Sequence, residues 1–231
     1  MRKKNNRNGK VINSQAAMDK AVKSICDILR RDKAKGARLY VPELTWMFFL
    51  RYLDIMEEKE ERWAKALRGT YHEPIEPPYR WRGWVTGGKR HELSEEHGLG
   101  SVLSFVNDEL FPYLKNLGET SGASDKQKVI SEIFRNKEKT ILSSQTNLLD
   151  ALDGVQRLSE SSISDQHIFP ISQAFEGLLP SLGEKKNDGG QFFTPREVIR
   201  VIVDTVKPQV GKTVYDPCAV QAAFSSKHTI I

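Results

Sequence analysis

The stretch PELTWMFFLRYLDIMEEKEER, Pro42 to Arg62, decides the fold. Between Leu44 and Met56 it is apolar almost all round, with no alternation of the kind a half-buried strand requires. A proline near its start is tolerated in a first helical turn, and such a run predicts a helix from Pro42 to about Leu67, buried among other helices. Its charged continuation, EEKEER, is expected to run out into solvent. Upstream, Met18, Val22, Ile25 and Leu29 recur at helical spacing between Ser14 and Arg31, with Ser14 placed to cap. Downstream, SVLSFVNDELFPYL, DKQKVISEIFRN and SSQTNLLDALDGVQRL each carry the 3.6 period, and no stretch before residue 200 alternates convincingly. The expected fold is therefore mainly α, with a basic, disordered tail over 1–12 and a helical domain over 13–160.

Composition fits this plan. The chain has 231 residues, is 39% hydrophobic and carries a net charge of +5, so it can bury a sizeable core and reads as soluble. Its longest uninterrupted apolar run, Trp46 to Leu50, is far short of the ~20 residues of a membrane span. MRKKNNRNGK at the start has no apolar stretch after it and is not a signal peptide. Cys26 and Cys218 are far apart, the five histidines show no ligand spacing, and neither a disulfide framework nor a metal site is expected. A cytoplasmic location follows. The cations of the tail and of RRDKAKGAR, Arg30 to Arg38, can attract phosphates, although from charge alone a solvated tail and loop is the favoured reading.

After the polar joint SESSISD, Ser159 to Asp165, comes one more amphipathic helix with Ile171, Phe175, Leu178 and Leu179. The loop GEKKNDGG then precedes a change of grammar: a helix from Thr194 to about Val206 and the short β-branched run TVYD. Residues 161–231 thus read as the opening of an α/β domain. Thr194, Pro195 and Glu197 match a capping box with proline at the first helical position. Gln191, Phe192 and Phe193 stand just before it, where free N–H groups favour an anion and an aromatic can stack on a planar ring. On spacing alone, a capped core helix with a hydrophobic staple accounts for the same residues. Its face of Val198, Ile199, Ile202 and Val206 is expected to be exposed unless something covers it.

GQFFTPREVIRVIVDTVKPQVGKTVYDPCA closely resembles the start of the methyltransferase domain in modification subunits of type I restriction-modification systems, which are adenine-N6 DNA methyltransferases. LTWMFFLRYLDIMEEKEERW, PPYRWRGW and ELFPYLKNL resemble that family's helical N-terminal domain, so the likeness covers nearly the whole chain. It implies a Rossmann-like domain that uses S-adenosylmethionine, with Gln191, Phe192, Phe193, Thr194, Pro195 and Arg196 contacting the cofactor and Asp216 and Pro217 opening its first-strand loop. It also implies specificity and restriction subunits and double-stranded DNA as partners, with no membrane.

The family loop continues Ala-Gly-Thr-Gly-Gly-Phe, whose glycines admit the ligand. Here Ala219 is followed by Val220, Gln221, Ala222, Ala223 and Phe224. Restoring one G after the alanine codon permits the family's residues in the new frame, so a single-base deletion near codon 220 is expected. The family's ribose-binding acid and catalytic Asn-Pro-Pro-Phe belong further downstream. Glu76-Pro77-Pro78-Tyr79 resembles the latter only loosely and is expected to be a turn. No catalytic residue is therefore expected. The chain reads as a catalytically incompetent N-terminal piece of such a methyltransferase, or as a non-catalytic helical module that binds a specificity subunit or DNA. Arg80, Trp81, Arg82 and Trp84 interleave cations and aromatics as nucleic-acid surfaces do, but packing back onto the bundle is favoured.

Overall fold

The structure, a computed structural model, describes residues 12, 15–86, 90, 101–160, 196–207 and 209. Its chain divides into two compact units, Met1–Glu184 and Lys185–Ile231. The first is helical, and no strand occurs among the described residues. The expected strand TVYD, the cap Ser14 and the helix through Phe175 lie outside them.

Helix α1 (Gln15–Arg31) buries Met18, Val22, Ile25 and Leu29, the stripe its period predicts. Helix α2 (Ala37–Ala66) is the central element. It begins five residues before Pro42, because the Leu39 and Tyr40 N–H groups already close a turn on the Gly36 carbonyl at 2.8 and 3.1 Å. The proline then costs a single bond. Leu44, Trp46, Met47, Phe48, Leu50, Leu53 and Ile55 are all buried. The helix stops in a Schellman motif: Arg68 adopts φ 55°, its N–H bonds the Lys65 carbonyl at 3.2 Å, and the Gly69 N–H bonds Ala64 at 2.8 Å.

A short helix, α3 (Trp81–Trp84), ends an irregular stretch that contains a cis Pro77–Pro78 bond. Helix α4 follows from Ser101–Ser104, widens into a π segment over Phe105–Leu110 and continues as Phe111–Asn116. The widening coincides with Pro112, which cannot donate to a carbonyl one turn back; the Phe111 N–H reaches Val106, five residues back. A 3-10 turn (Leu117–Glu119) leads to α5 (Asp125–Phe134), started by a reciprocal capping box between Ser124 and Gln127. Helix α6 (Gln145–Gln156) closes the bundle with Leu148, Ala151, Leu152 and Val155 buried.

Aromatic contacts tie α2, α4 and α5 together. Trp46 meets Phe111 edge-on at 5.2 Å, Phe111 lies 5.9 Å from Phe134, and Phe134 lies 6.0 Å from Phe49. Helix α6 lies close against α1 at Gly154, where a Cβ would come within 2.7 Å of Ile25 Cγ1. Only glycine fits there without a shift.

Buried charge completes the frame. Glu43 on α2 accepts from Trp46 Nε1 at 2.9 Å, Thr140 Oγ1 at 2.6 Å, Lys137 Nζ at 2.5 Å and the Ile141 N–H at 3.3 Å. One carboxylate thereby fixes the segment before α6 to the start of α2. Asp32, just after α1, accepts from the Ser143 hydroxyl at 2.7 Å and the Ser144 N–H at 2.8 Å, which adds a second anchor at the start of α6. Arg51 grips Asp54 at 2.8 Å and the Leu158 carbonyl at 2.6 Å, holding the end of the bundle to its centre.

In the second unit, α7 (Arg196–Val206) is amphipathic. Val203 is buried, whereas Val198, Val201, Ile202 and Val206 are exposed.

Candidate functional site

The residues expected to touch a cofactor fall almost entirely outside the described residues: Gln191, Phe192, Phe193, Thr194, Pro195, Asp216 and Pro217 do so, as does the proposed cap at Thr194. Arg196 is described as the first residue of α7. What the structure does bring together is the Pro, Arg and aromatic stretch from Tyr71 to Thr86.

This stretch folds back on the bundle. Trp81 and Trp84 are buried; Trp81 Nε1 donates to Gln156 Oε1 at 2.5 Å and Trp84 packs 5.7 Å from Phe105. Tyr79 stacks on Tyr113 at 4.0 Å, and the Tyr113 hydroxyl oxygen accepts the Glu76 N–H at 3.0 Å. The Tyr79 N–H bonds back to the Glu76 carbonyl at 2.9 Å, so Glu76-Pro77-Pro78-Tyr79 is a turn. Gly83 seats against it, since a Cβ there would sit 2.5 Å from the Pro78 carbonyl oxygen.

Its arginines face carboxylates. Arg80, 9% exposed, pairs with Glu73 at 2.7 Å and lies 3.9 Å from Glu57, while Arg82 binds Asp54 at 2.8 Å and reaches Glu61 at 3.5 Å. Burial acts against the Arg82 charge, yet the Asp54 contact outweighs it and lifts its pKa. A nucleic-acid surface built on Arg80 and Arg82 is thus replaced by internal ion pairing.

Glu57 departs from expectation. Read in sequence as part of a solvated charge run, it is 2% exposed beneath Arg80. Burial pushes its carboxyl up to about 7, with Asp54 adding to the rise and Lys126, Arg80 and Arg82 opposing it. Glu57 Oε1, Tyr71 Oη, Arg80 Nε and Arg80 Nη2 are buried without a hydrogen-bond partner. Sequence offered little signal for this beyond the position of Glu57 one turn after Leu53.

Among the described residues no group of three His, Cys, Asp or Glu could hold a metal. The Cys26 thiol is buried, which raises it to about 11 and leaves it unreactive. No helix of the described residues is long and apolar enough to cross a membrane.

Comparison with known proteins places this frame. Two family models match successive parts of the chain. The HsdM N-terminal domain matches residues 18–155 and N-6 DNA Methylase matches 164–228. The chain belongs to the HsdM N-terminal domain family, that of the modification subunits of type I restriction-modification systems. It is 30% identical over 214 residues to the methylase subunit of the type I restriction enzyme EcoEI of Escherichia coli, covering 90% of this chain and 40% of that subunit. To the methylase subunit of EcoKI from Escherichia coli K12 it is 30% identical over 148 residues, covering 60% of this chain and 26% of the relative.

A modification subunit of a putative type I restriction enzyme from Vibrio vulnificus superposes with a TM-score of 0.68 at 26% identity, over 88% of this chain and 43% of that one. A second solved structure, from work on complex assembly and conformational transition of the type I R-M system, gives 0.63 at 33% identity, over 89% and 38%. The chain therefore spans less than half the length of each.

Proposed function

We propose that this chain supplies the helical module of a type I modification subunit and does not by itself methylate DNA. In an intact subunit of this family, a methyl group passes from S-adenosylmethionine to adenine N6. The residues carried over for the cofactor are Gln191, Phe192, Phe193, Thr194, Pro195, Arg196, Asp216 and Pro217.

One observation carries the proposal. The three glycine positions of the family's cofactor loop hold Val220, Ala222 and Ala223, residue types without the conformational freedom and lack of side chain that glycine brings to such a loop. The helical bundle, in contrast, has a continuous apolar core, and its buried Glu43 and Asp54 carboxylates and the more exposed Asp32 are all engaged. A competent module beside an altered loop supports docking onto the specificity and restriction subunits and onto double-stranded DNA, in the cytoplasm, without turnover.

Calorimetric titration with S-adenosylmethionine and a methyl-transfer assay on DNA test this directly. No saturable cofactor heat and no transferred methyl are expected. Complex formation with a specificity subunit is expected to survive. Measurable turnover by the purified chain overturns the proposal.

A further inference from the structure

The turn between α1 and α2 carries more cations than its structure uses. Residues 30–35 read RRDKAK, and the carboxylate of their one acid, Asp32, is taken up by hydrogen bonds, one of them from the Lys33 N–H at 2.9 Å. Both Asp32 carboxylate oxygens are engaged by the start of α6, through the Ser143 hydroxyl and N–H and the Ser144 N–H, at 2.7, 3.1 and 2.8 Å. Arg30 is also occupied, paired with Asp27 at 3.3 Å and lying 5.2 Å over the Tyr40 ring. Arg31, Lys33 and Lys35 are exposed, and no ion pair among the described residues engages them. Beside them the Gly36 position is open, with nothing within 4 Å of where a Cβ would stand.

We infer that this turn, through Arg31, Lys33 and Lys35, is a contact surface for the phosphodiester backbone of double-stranded DNA. The inference rests on the proposed DNA-directed role of the module and names the surface that serves it. Three cations within five residues, without an ion pair among the described residues, present positive charge on a turn whose acid is already engaged by backbone N–H groups and the Ser143 hydroxyl. Such contacts release counterions and carry no base specificity. Such a cluster suits a polyanion, and DNA is the polyanion this family acts on.

The test measures binding of the whole chain to a labelled duplex by fluorescence anisotropy across a salt series. It uses the triple variant R31A/K33A/K35A and the charge-matched control K65A/K115A/K128A, whose lysines are exposed elsewhere on the bundle. The slope of log K against log salt is expected to fall by up to about 2.7 in the first variant, roughly 0.9 for each phosphate contact, and to stay near wild type in the control. An unchanged slope in the first variant, or equal loss in both, overturns the inference while leaving the DNA-directed role intact. Equal affinity of wild type for poly-glutamate also overturns it, by showing that any polyanion suffices. Absence of duplex binding by wild type at low salt sinks both the surface and the proposed role in DNA binding.

Discussion

Glu57 Oε2 lies 3.9 Å from Arg80 Nε, inside the bundle, and neither group closes a hydrogen bond on the other. The pair joins α2 to the stretch before α3 with a charge contact that the ionised carboxyl makes at a desolvation cost.

That geometry predicts a pH dependence. The Glu57 carboxyl moves from its ordinary 4.5 to about 7 in the fold, so the folded chain holds a proton that the unfolded chain releases. Its contribution to stability is fully present below pH 4.5 and is lost as pH rises through about 7. The loss amounts to at most about 3 kcal/mol. Urea unfolding of wild type and Glu57→Gln at pH 5 and pH 8 checks this: the variant is expected to lose less between the two. Parallel losses in both proteins would rule the assignment out.

Glu43 is the opposite case, a buried carboxylate with every oxygen engaged. Glu43→Ala strands Thr140, the Trp46 indole and Lys137 together, and a cost of roughly 3–5 kcal/mol is expected from breaking such a buried network. Thermal unfolding monitored by circular dichroism measures it. A change below about 1 kcal/mol, the scale of a single ordinary hydrogen bond, would show that the network is not coupled.

Gly154→Ala forces a Cβ against Ile25, and overpacking of this kind costs about 1–3 kcal/mol. Combined with Ile25→Ala, the penalty is expected to be less than the sum of the two single changes, because the second removes the atoms that the first strikes. Strict additivity in denaturant unfolding would place the clash elsewhere.

The four tryptophans differ sharply in exposure: Trp46, Trp81 and Trp84 are buried, while Trp63 is 66% exposed. Iodide is therefore expected to quench one fraction of the fluorescence in the isolated chain, and Trp63→Phe to abolish that fraction. Its persistence in the variant would mean that the stretch carrying Trp81 and Trp84 is open in solution.

The helices were legible where burial follows the chain's own period. The apolar stripes of α1, α2 and α6 announce themselves because a residue and its neighbour three or four places on share a face. Pro42 misled the expected start of α2, since a proline one turn inside a helix is tolerated as well as one at its head. The π segment of α4 arises from Pro112 acting on carbonyls already committed to a helix, an effect of bonding rather than of pattern. Carboxylates that anchor distant segments were the least legible. Glu43 meets Thr140 across 97 positions, and Asp32 meets Ser144 across 112, distances at which no local motif can signal a partner. The likeness at GQFFTPR and YDPCA, in turn, pointed to a cofactor that the described residues do not reach.

The Ile12 N–H bonds the Arg157 carbonyl at 3.5 Å. The bundle's two ends thus meet at a single seam, and Arg62 clasps Glu160 beyond it. A permuted chain joined at this seam and opened at the exposed Gly122 turn should still find the same bundle, because its helices do not depend on which end is made first.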